Sequence, residues 1–243
     1  MTKLYEAKNH ILIHTGYSSP AEHRHMAAHI IIAPEGEMTV TAEGNTFLCR
    51  GIFIPSGVHH GVNTGGKPVL VFLYDSTTAV TAQIKNTQAI PDGICRQIAD
   101  AYFDFEGSDT HSYRKFEDCF SNLLELPEPT CRITDERISF ALAYIRSRFS
   151  ENISLRDVAA AVFLSQGRFS HLFKQQIGMT FASYVIYQRI MQVYTDIFRG
   201  KSITEAALDA GFSGSAHFAE TSRRIFGLSA SSITQNLTFI KVE

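Results

Sequence analysis

Ile153-Ser154-Leu155…Ala159…Leu164-Ser165…Phe169…Lys174…Gly178-Met179-Thr180 is written twice in this chain. It returns as Lys201-Ser202-Ile203…Ala207…Phe212-Ser213…Phe218…Arg223…Gly227-Leu228-Ser229, offset by 48 residues at its start and 49 after a one-residue insertion. Each copy reads as a short helix, a tight turn and a second helix. Ser154, and Ser202 or Thr204, are the residue types that cap a first helix; Ser165 and Ser213 cap the second, which ends in a basic residue. Small alanines on the first helix allow close crossing. This is the layout of a helix-turn-helix, whose second helix is presented to the major groove of DNA. Two unrelated helical hairpins explain one copy but not two in register.

Working outward, Ile138, Leu142, Ile145 and Phe149 predict a helix over 135–149, and a long helix over 181–199 joins the two copies. Such a linker spans about 28 Å, near the ~34 Å of one DNA turn. Upstream, Pro127-Glu128-Pro129-Thr130 interrupts helical periodicity and marks a domain boundary. Between 92 and 126, Ile94, Ile98, Ala101 and Phe105, then Phe116, Phe120, Leu123 and Leu124, form two helical apolar stripes. They predict a dimerisation segment. Residues 1 to about 90 read as short strands (Ile11–Tyr17, His29–Ala33, Met38–Ala42, Thr46–Ile54, Pro68–Tyr74) separated by turns such as Glu43-Gly44-Asn45 and Thr64-Gly65-Gly66. The expected chain is a two-domain α+β protein: a β-barrel at 1–91, a helical segment and linker at 92–129, and an all-α domain at 130–243.

Charge follows the same division. Residues 1–129 carry nine Lys/Arg against fifteen Asp/Glu, and residues 130–243 carry thirteen against nine. A basic back half fits a polyanionic partner. The four cysteines include no CxxC pair, which argues against a zinc knuckle or a disulfide framework. The longest apolar stretch, Val69–Tyr74, is far too short to span a bilayer. A cytoplasmic protein without a membrane partner is expected.

Residues 134–236 resemble the DNA-binding domain of the AraC/XylS family of bacterial regulators. The resemblance rests on Ser202-Ile203-Thr204-Glu205-Ala206-Ala207…Ala210-Gly211-Phe212-Ser213…His217-Phe218…Phe226-Gly227-Leu228-Ser229, and on Leu172-Phe173-Lys174…Gly178-Met179-Thr180-Phe181…Tyr184 with Arg189. It implies two reading helices in successive major-groove turns of double-stranded DNA, with RNA polymerase as a further partner. Gln166, Arg168, Ser170, His171 and Lys174 are the candidate contacts in the first copy. Ser215, His217, Glu220, Arg223 and Arg224 are those in the second. Arg168 and Gln166 suit base reading, whereas Lys174, Arg223 and Arg224 suit phosphates. This sequence departs from the family at Glu220, where Arg is usual, at Ser222, where Phe is usual, and at Phe163, where Gly is common.

Seven of the ten histidines fall in the first 60 residues. Gly16…His23-Arg24-His25…His29…Gly36, with Pro55-Ser56-Gly57-Val58-His59-His60, resembles the two motifs of the cupin fold. That resemblance implies a metal site of His23, His25, His29 and His60, with His29 where the family has Glu; Glu22 and His59 are flanking alternates. Alternation along a strand puts His23 and His25 on one face. Nitrogen-rich ligands suit zinc, nickel, copper or iron.

The expected function is therefore a DNA-binding transcription regulator, without catalysis, that responds to a small-molecule or metal effector and forms a homodimer. The competing expectation is a cupin-type dioxygenase or isomerase fused to a DNA-binding domain.

Overall fold

The computed structural model describes residues 2–7, 10–24, 27–74, 77–105, 110–128, 133–226 and 237–242. The chain divides into two compact units: Met1–Thr130 together with Arg224–Glu243, and Cys131–Arg223.

In the first unit the strands are β1 Thr2–Glu6, β2 His10–His23, β3 Ala28–Ile32, β4 Met38–Ala42, β5 Asn45–Cys49, β6 Gly51–Ile54, β7 His60–Tyr74, β8 Gln88–Ile90 and β9 Leu237–Lys241. They form one sheet ordered β8-β6-β3-β7-β2-β1-β9, with β4 on β7 and β5 on β4. Among the described residues its end strands, β8 and β9, are not paired with each other. The sheet is therefore not the closed barrel the sequence predicts. Long strands do the folding over. The first part of β7 pairs with β4 (Val62↔Val40) and the last part with β3 (Phe72↔Ile30). Between them Gly65 and Gly66 take φ of 62° and 80°. The Thr64-Gly65-Gly66 segment, read as a turn, is thus a bend inside one strand. β2 shifts register opposite it, between Gly16 and Ser18. A glycine pair supplies the backbone freedom that such a bend needs.

The end of the chain returns to this unit. β9 lies parallel to β1 (Leu4↔Phe239), and the Val242 N–H donates to the Glu6 carbonyl at 2.9 Å. The expected 130–243 domain therefore loses its last strand to the N-terminal sheet. That pairing is parallel, so it needs a long crossover.

Two cores stabilise the unit. One, inside the folded sheet, holds Ile31, Met38, Val40, Ile52, Ile54, Val62 and Val69. The other lies between the sheet and helices α2 (Asp92–Phe105) and α3 (Thr110–Leu123), which follow the short α1 (Ala79–Gln83). There Phe72 stacks on Phe120 with ring centroids 3.9 Å apart, and Phe105 stacks on Phe116 at 5.4 Å. The stripes that suggested a dimerisation segment are thus covered by the chain's own sheet. Ile98, Tyr102, Phe116 and Phe120 are buried in it, so the apolar faces need no second copy.

The second unit holds α4 Glu136–Arg148, α5 Leu155–Ala161, α6 Gln166–Ile177, α7 Phe181–Phe198, α8 Ile203–Asp209 and α9 Ser215–Phe226. The sequence repeat is a structural one: α5 and α8 each have 7 residues, α6 and α9 each have 12. Caps set the helix starts. Ser154 and Asp157 form a reciprocal capping box, and Ser165, Thr180 and Ser202 accept backbone N–H groups of Arg168, Ser183 and Glu205. Both turns pass through left-handed backbone, at Phe163 (φ 56°) and at Gly211 (φ 84°).

Candidate nucleic-acid interface and histidine cluster

Helix α6 buries Phe169, Phe173 and Ile177 and leaves Gln166, Arg168, His171 and Lys174 exposed, with Ser170 half-buried. All five predicted contacts of the first copy thus lie off its packing face. From Val158 to Ile177 the charged residues are Arg168 and Lys174 alone, so this stretch contributes no carboxylate to the surface. Its N-terminal end adds the positive end of the helix dipole.

Helix α9 is less uniform. Arg223 and Arg224 are exposed, as is the carboxylate of Glu220, and Ser215 is half-buried. The Nδ1 of His217 accepts the Ser213 backbone N–H at 3.4 Å and lies 3.1 Å from the Ser213 hydroxyl. That nitrogen is committed to closing the helix start. Ser222, one of the departures from the family pattern, is fully buried and its hydroxyl meets that of Tyr194 at 2.6 Å. A buried phenol needs a polar partner, and serine supplies it where phenylalanine could not.

One residue that ties α4 to the second copy was named in the sequence without a role. Arg189 on α7 donates from Nε to the Phe149 carbonyl (2.7 Å), from Nη2 to the Glu151 carbonyl (2.9 Å) and from Nη1 to the Gly211 carbonyl (3.2 Å). It joins the end of the first helix to the turn of the second copy. Nothing local in the sequence announces this, since its acceptors lie 22 to 40 residues away.

In the first unit, pairing of β2 with β7 sets His23 directly opposite His60. Their ring centroids are 4.7 Å apart, and His29 on β3 lies 5.0 Å from His60. All three imidazoles are buried. Burial pushes His60 down to about 4 and holds His29 well below its ordinary value, with neighbouring imidazoles adding to the effect. Both are therefore neutral at pH 7, the form that coordinates metals. The His60 Nδ1 lies 2.9 Å from the Val58 carbonyl. A carbonyl can only accept, so Nδ1 carries the proton and Nε2 keeps its lone pair. His25 lies outside the described residues. The alternates Glu22 and His59 are exposed. Among the described residues no group of three or more His, Cys, Asp or Glu side chains is arranged to hold a metal ion.

Another buried histidine, His10, was not singled out in the sequence. His10 shares a strand face with Leu12 and His14. Its Nε2 lies 2.6 Å from the Tyr113 hydroxyl and its Nδ1 3.6 Å from the Glu117 carboxylate, while its ring stacks on Tyr74. His14 meets Tyr102 at 2.9 Å. Through these polar contacts this face ties the sheet to α2 and α3. The i, i+2 alternation with buried Leu12 is the signal that could have found it.

Residues 158–236 match a family model described as a helix-turn-helix domain. The chain is 32% identical over 99 residues to the probable transcriptional regulator LumQ of Photobacterium leiognathi, which covers 39% of each chain. It is 31% identical over 134 residues to the transcriptional activator RhaS of Klebsiella pneumoniae, covering 53% of this chain and 48% of RhaS. The matched part thus spans less than half of either relative. An apo variant of ToxT from Vibrio cholerae shares the fold with a TM-score of 0.64 at 10% identity, over 93% of this chain and 97% of that one. ToxT with an unsaturated fatty acid bound gives 0.58 at 10% identity, over 92% and 94%. No described helix is long and apolar enough to cross a membrane.

Proposed function

We propose that this chain is a sequence-specific regulator of transcription of the AraC/XylS type that binds double-stranded DNA, in keeping with the helix-turn-helix model matched by residues 158–236 and with the names of its relatives. The observation that carries the reading is the duplicated helix pair, equal in length in both copies, whose first reading helix exposes Arg168 and Lys174 in a stretch, 158–177, that contains no Asp or Glu. α7, with 18 residues, is about 27 Å long, which suits two heads in successive groove turns. The reading is non-enzymatic, in keeping with the names of the relatives, and places the protein in the cytoplasm. RNA polymerase and a second copy of the chain are its further proposed partners.

A binding assay with the full-length chain tests this. The chain should select a preferred duplex from random-sequence DNA, and its affinity should fall linearly on a log–log plot against salt as phosphate counterions are released. Arg168→Ala should cost about 1–3 kcal/mol on the selected duplex and little on random DNA, as expected for a lost bidentate base contact. Arg223→Ala should weaken both alike. A wild-type chain that selects no duplex at low salt would remove the reading.

The first unit is then the sensor. The fatty acid in ToxT supports a small organic effector for this sheet as well. The histidine cluster favours a second reading of the same sensor, in which the effector is a divalent metal. His23, His29 and His60, with His25, would hold it. A bound metal would contribute charge inside the folded sheet. Purified chain incubated with zinc, nickel, copper or iron should retain one equivalent by elemental analysis, and His60→Ala should retain none. No retention by the wild type would leave the organic effector alone.

A further inference from the structure

Phe163 combines a backbone conformation that costs stability with a side chain that contributes almost none. Its backbone is left-handed (φ 56°), a region that a bulky side chain rarely adopts, and its side chain is 96% exposed. At the matching point of the second copy stands Gly211 (φ 84°), the residue that such a backbone favours. The turn itself makes no use of the ring. It is closed by main-chain bonds from Phe163 N–H to the Ala160 carbonyl (3.0 Å) and from Leu164 N–H to the Ala159 carbonyl (2.9 Å), which any residue would form. The apolar contribution to the fold comes from the neighbours instead, buried Val162 and half-buried Leu164. A bulky residue held in left-handed backbone, with a ring that its own unit does not use, points to a contact outside the chain.

The position says what that contact is. Phe163 stands two residues before Ser165, the N-cap of α6, at the end of a reading helix that approaches base edges. The surrounding surface carries Arg168 and Lys174 and no acid between Val158 and Ile177, which suits nucleic acid. In the major groove the apolar group on offer is the thymine C5-methyl. Resting on the DNA-binding reading above, we infer that Phe163 is a specificity-determining residue that packs on a thymine methyl at the edge of the first reading helix's site. Family members with glycine at this turn have no such group, so the contact belongs to this chain's own preference.

The test uses the full-length chain, the duplex it selects from random-sequence DNA, and copies of that duplex with each thymine in turn replaced by uracil. Phe163→Asn keeps a side chain that tolerates left-handed backbone. It should raise the melting temperature of the helical unit by about 2–4 °C while weakening binding to the selected duplex. For the wild type, one thymine-to-uracil change should weaken binding about 4-fold, the transfer free energy of one methyl. The same change should leave the Asn variant unaffected. A variant that binds the selected duplex as tightly as wild type overturns the inference while leaving DNA binding intact. Weaker binding with no uracil effect assigns the ring to the sugar–phosphate backbone and overturns it too. Unchanged DNA binding with lost transcriptional output would give the ring to a protein partner, again against the inference. If the wild-type chain selects no duplex, the DNA-binding reading falls and takes this one with it.

Discussion

Arg189→Ala is expected to lower the stability of the helical unit by about 3 kcal/mol and to do so without moving the transition of the sheet unit. Its guanidinium donates to three carbonyls, those of Phe149, Glu151 and Gly211. Hydrogen bonds from a charged donor are each worth about 1.5–3 kcal/mol, and water recovers part of that at this half-buried site. Lysine carries a single point of donation and cannot span three acceptors, so Arg189→Lys should recover little. The junction is tight on its other side as well. A Cβ on Gly211 would lie 2.6 Å from the Ser150 carbonyl and 3.2 Å from the Arg189 guanidinium carbon, on a backbone with φ of 84°. Gly211→Ala should therefore break the same junction, and the two substitutions together should cost less than the sum of each. Urea unfolding of the full-length chain, following the two transitions separately, is the measurement. A loss under 1 kcal/mol for Arg189→Ala would show that the junction is held by packing alone.

That junction also shows where sequence reasoning stops. The repeat was legible because its information is local: serine caps, i, i+3 and i+4 spacing, and a tight turn before each second helix. The reading helices and their exposed contacts follow from those signals. Arg189 does not, because a half-apolar helix carries a basic residue for many reasons and its carbonyl partners come from distant turns. In the sheet unit the same limit appears as misplaced punctuation. Thr64-Gly65-Gly66 has the chemistry of a turn, but pairing on both sides of β7 carries the strand through it. β9 gives no local sign that it will pair with β1, more than 200 residues away. The amphipathic stripes of α2 and α3 were read correctly as stripes. What covers them, the chain's own sheet or a second copy, is a matter of long-range packing that periodicity does not carry. Of the four histidines read as a ligand set, pairing brings His23, His29 and His60 together within the folded sheet, while His10 and His14, which were outside that set, face the helices.

Acidification is expected to destabilise the sheet unit through His10 in particular. Burial pushes its pKa down to about 4 in the folded chain, against an ordinary 6.5. The unfolded chain then binds a proton over this window and the folded chain does not. Stability from this group is therefore complete above pH 6.5, falls as pH drops, and is exhausted near pH 4. The ceiling is about 3 kcal/mol, since each pKa unit is worth 1.36 kcal/mol. The groups facing His10 decide how nearly that ceiling is reached. Tyr74 on β7 and Tyr113 on α3 are themselves pushed up by burial and stay neutral, so they offer no charge. Glu117 on α3 is also held above the usual carboxylate range by burial. Its oxygen lies 3.6 Å from the His10 Nδ1, so where it ionises it would partly compensate a proton on the ring. The observed loss should accordingly be smaller than the ceiling. His10→Gln removes the titration while keeping a hydrogen-bonding group toward Tyr113. The variant should be less stable at pH 7 but show a shallower decline between pH 6.5 and 4, by up to one proton. Urea midpoints of the sheet unit at pH 7.5, 6.0 and 5.0 measure the difference. Parallel declines in wild type and variant would place the acid sensitivity elsewhere and leave His10 as packing.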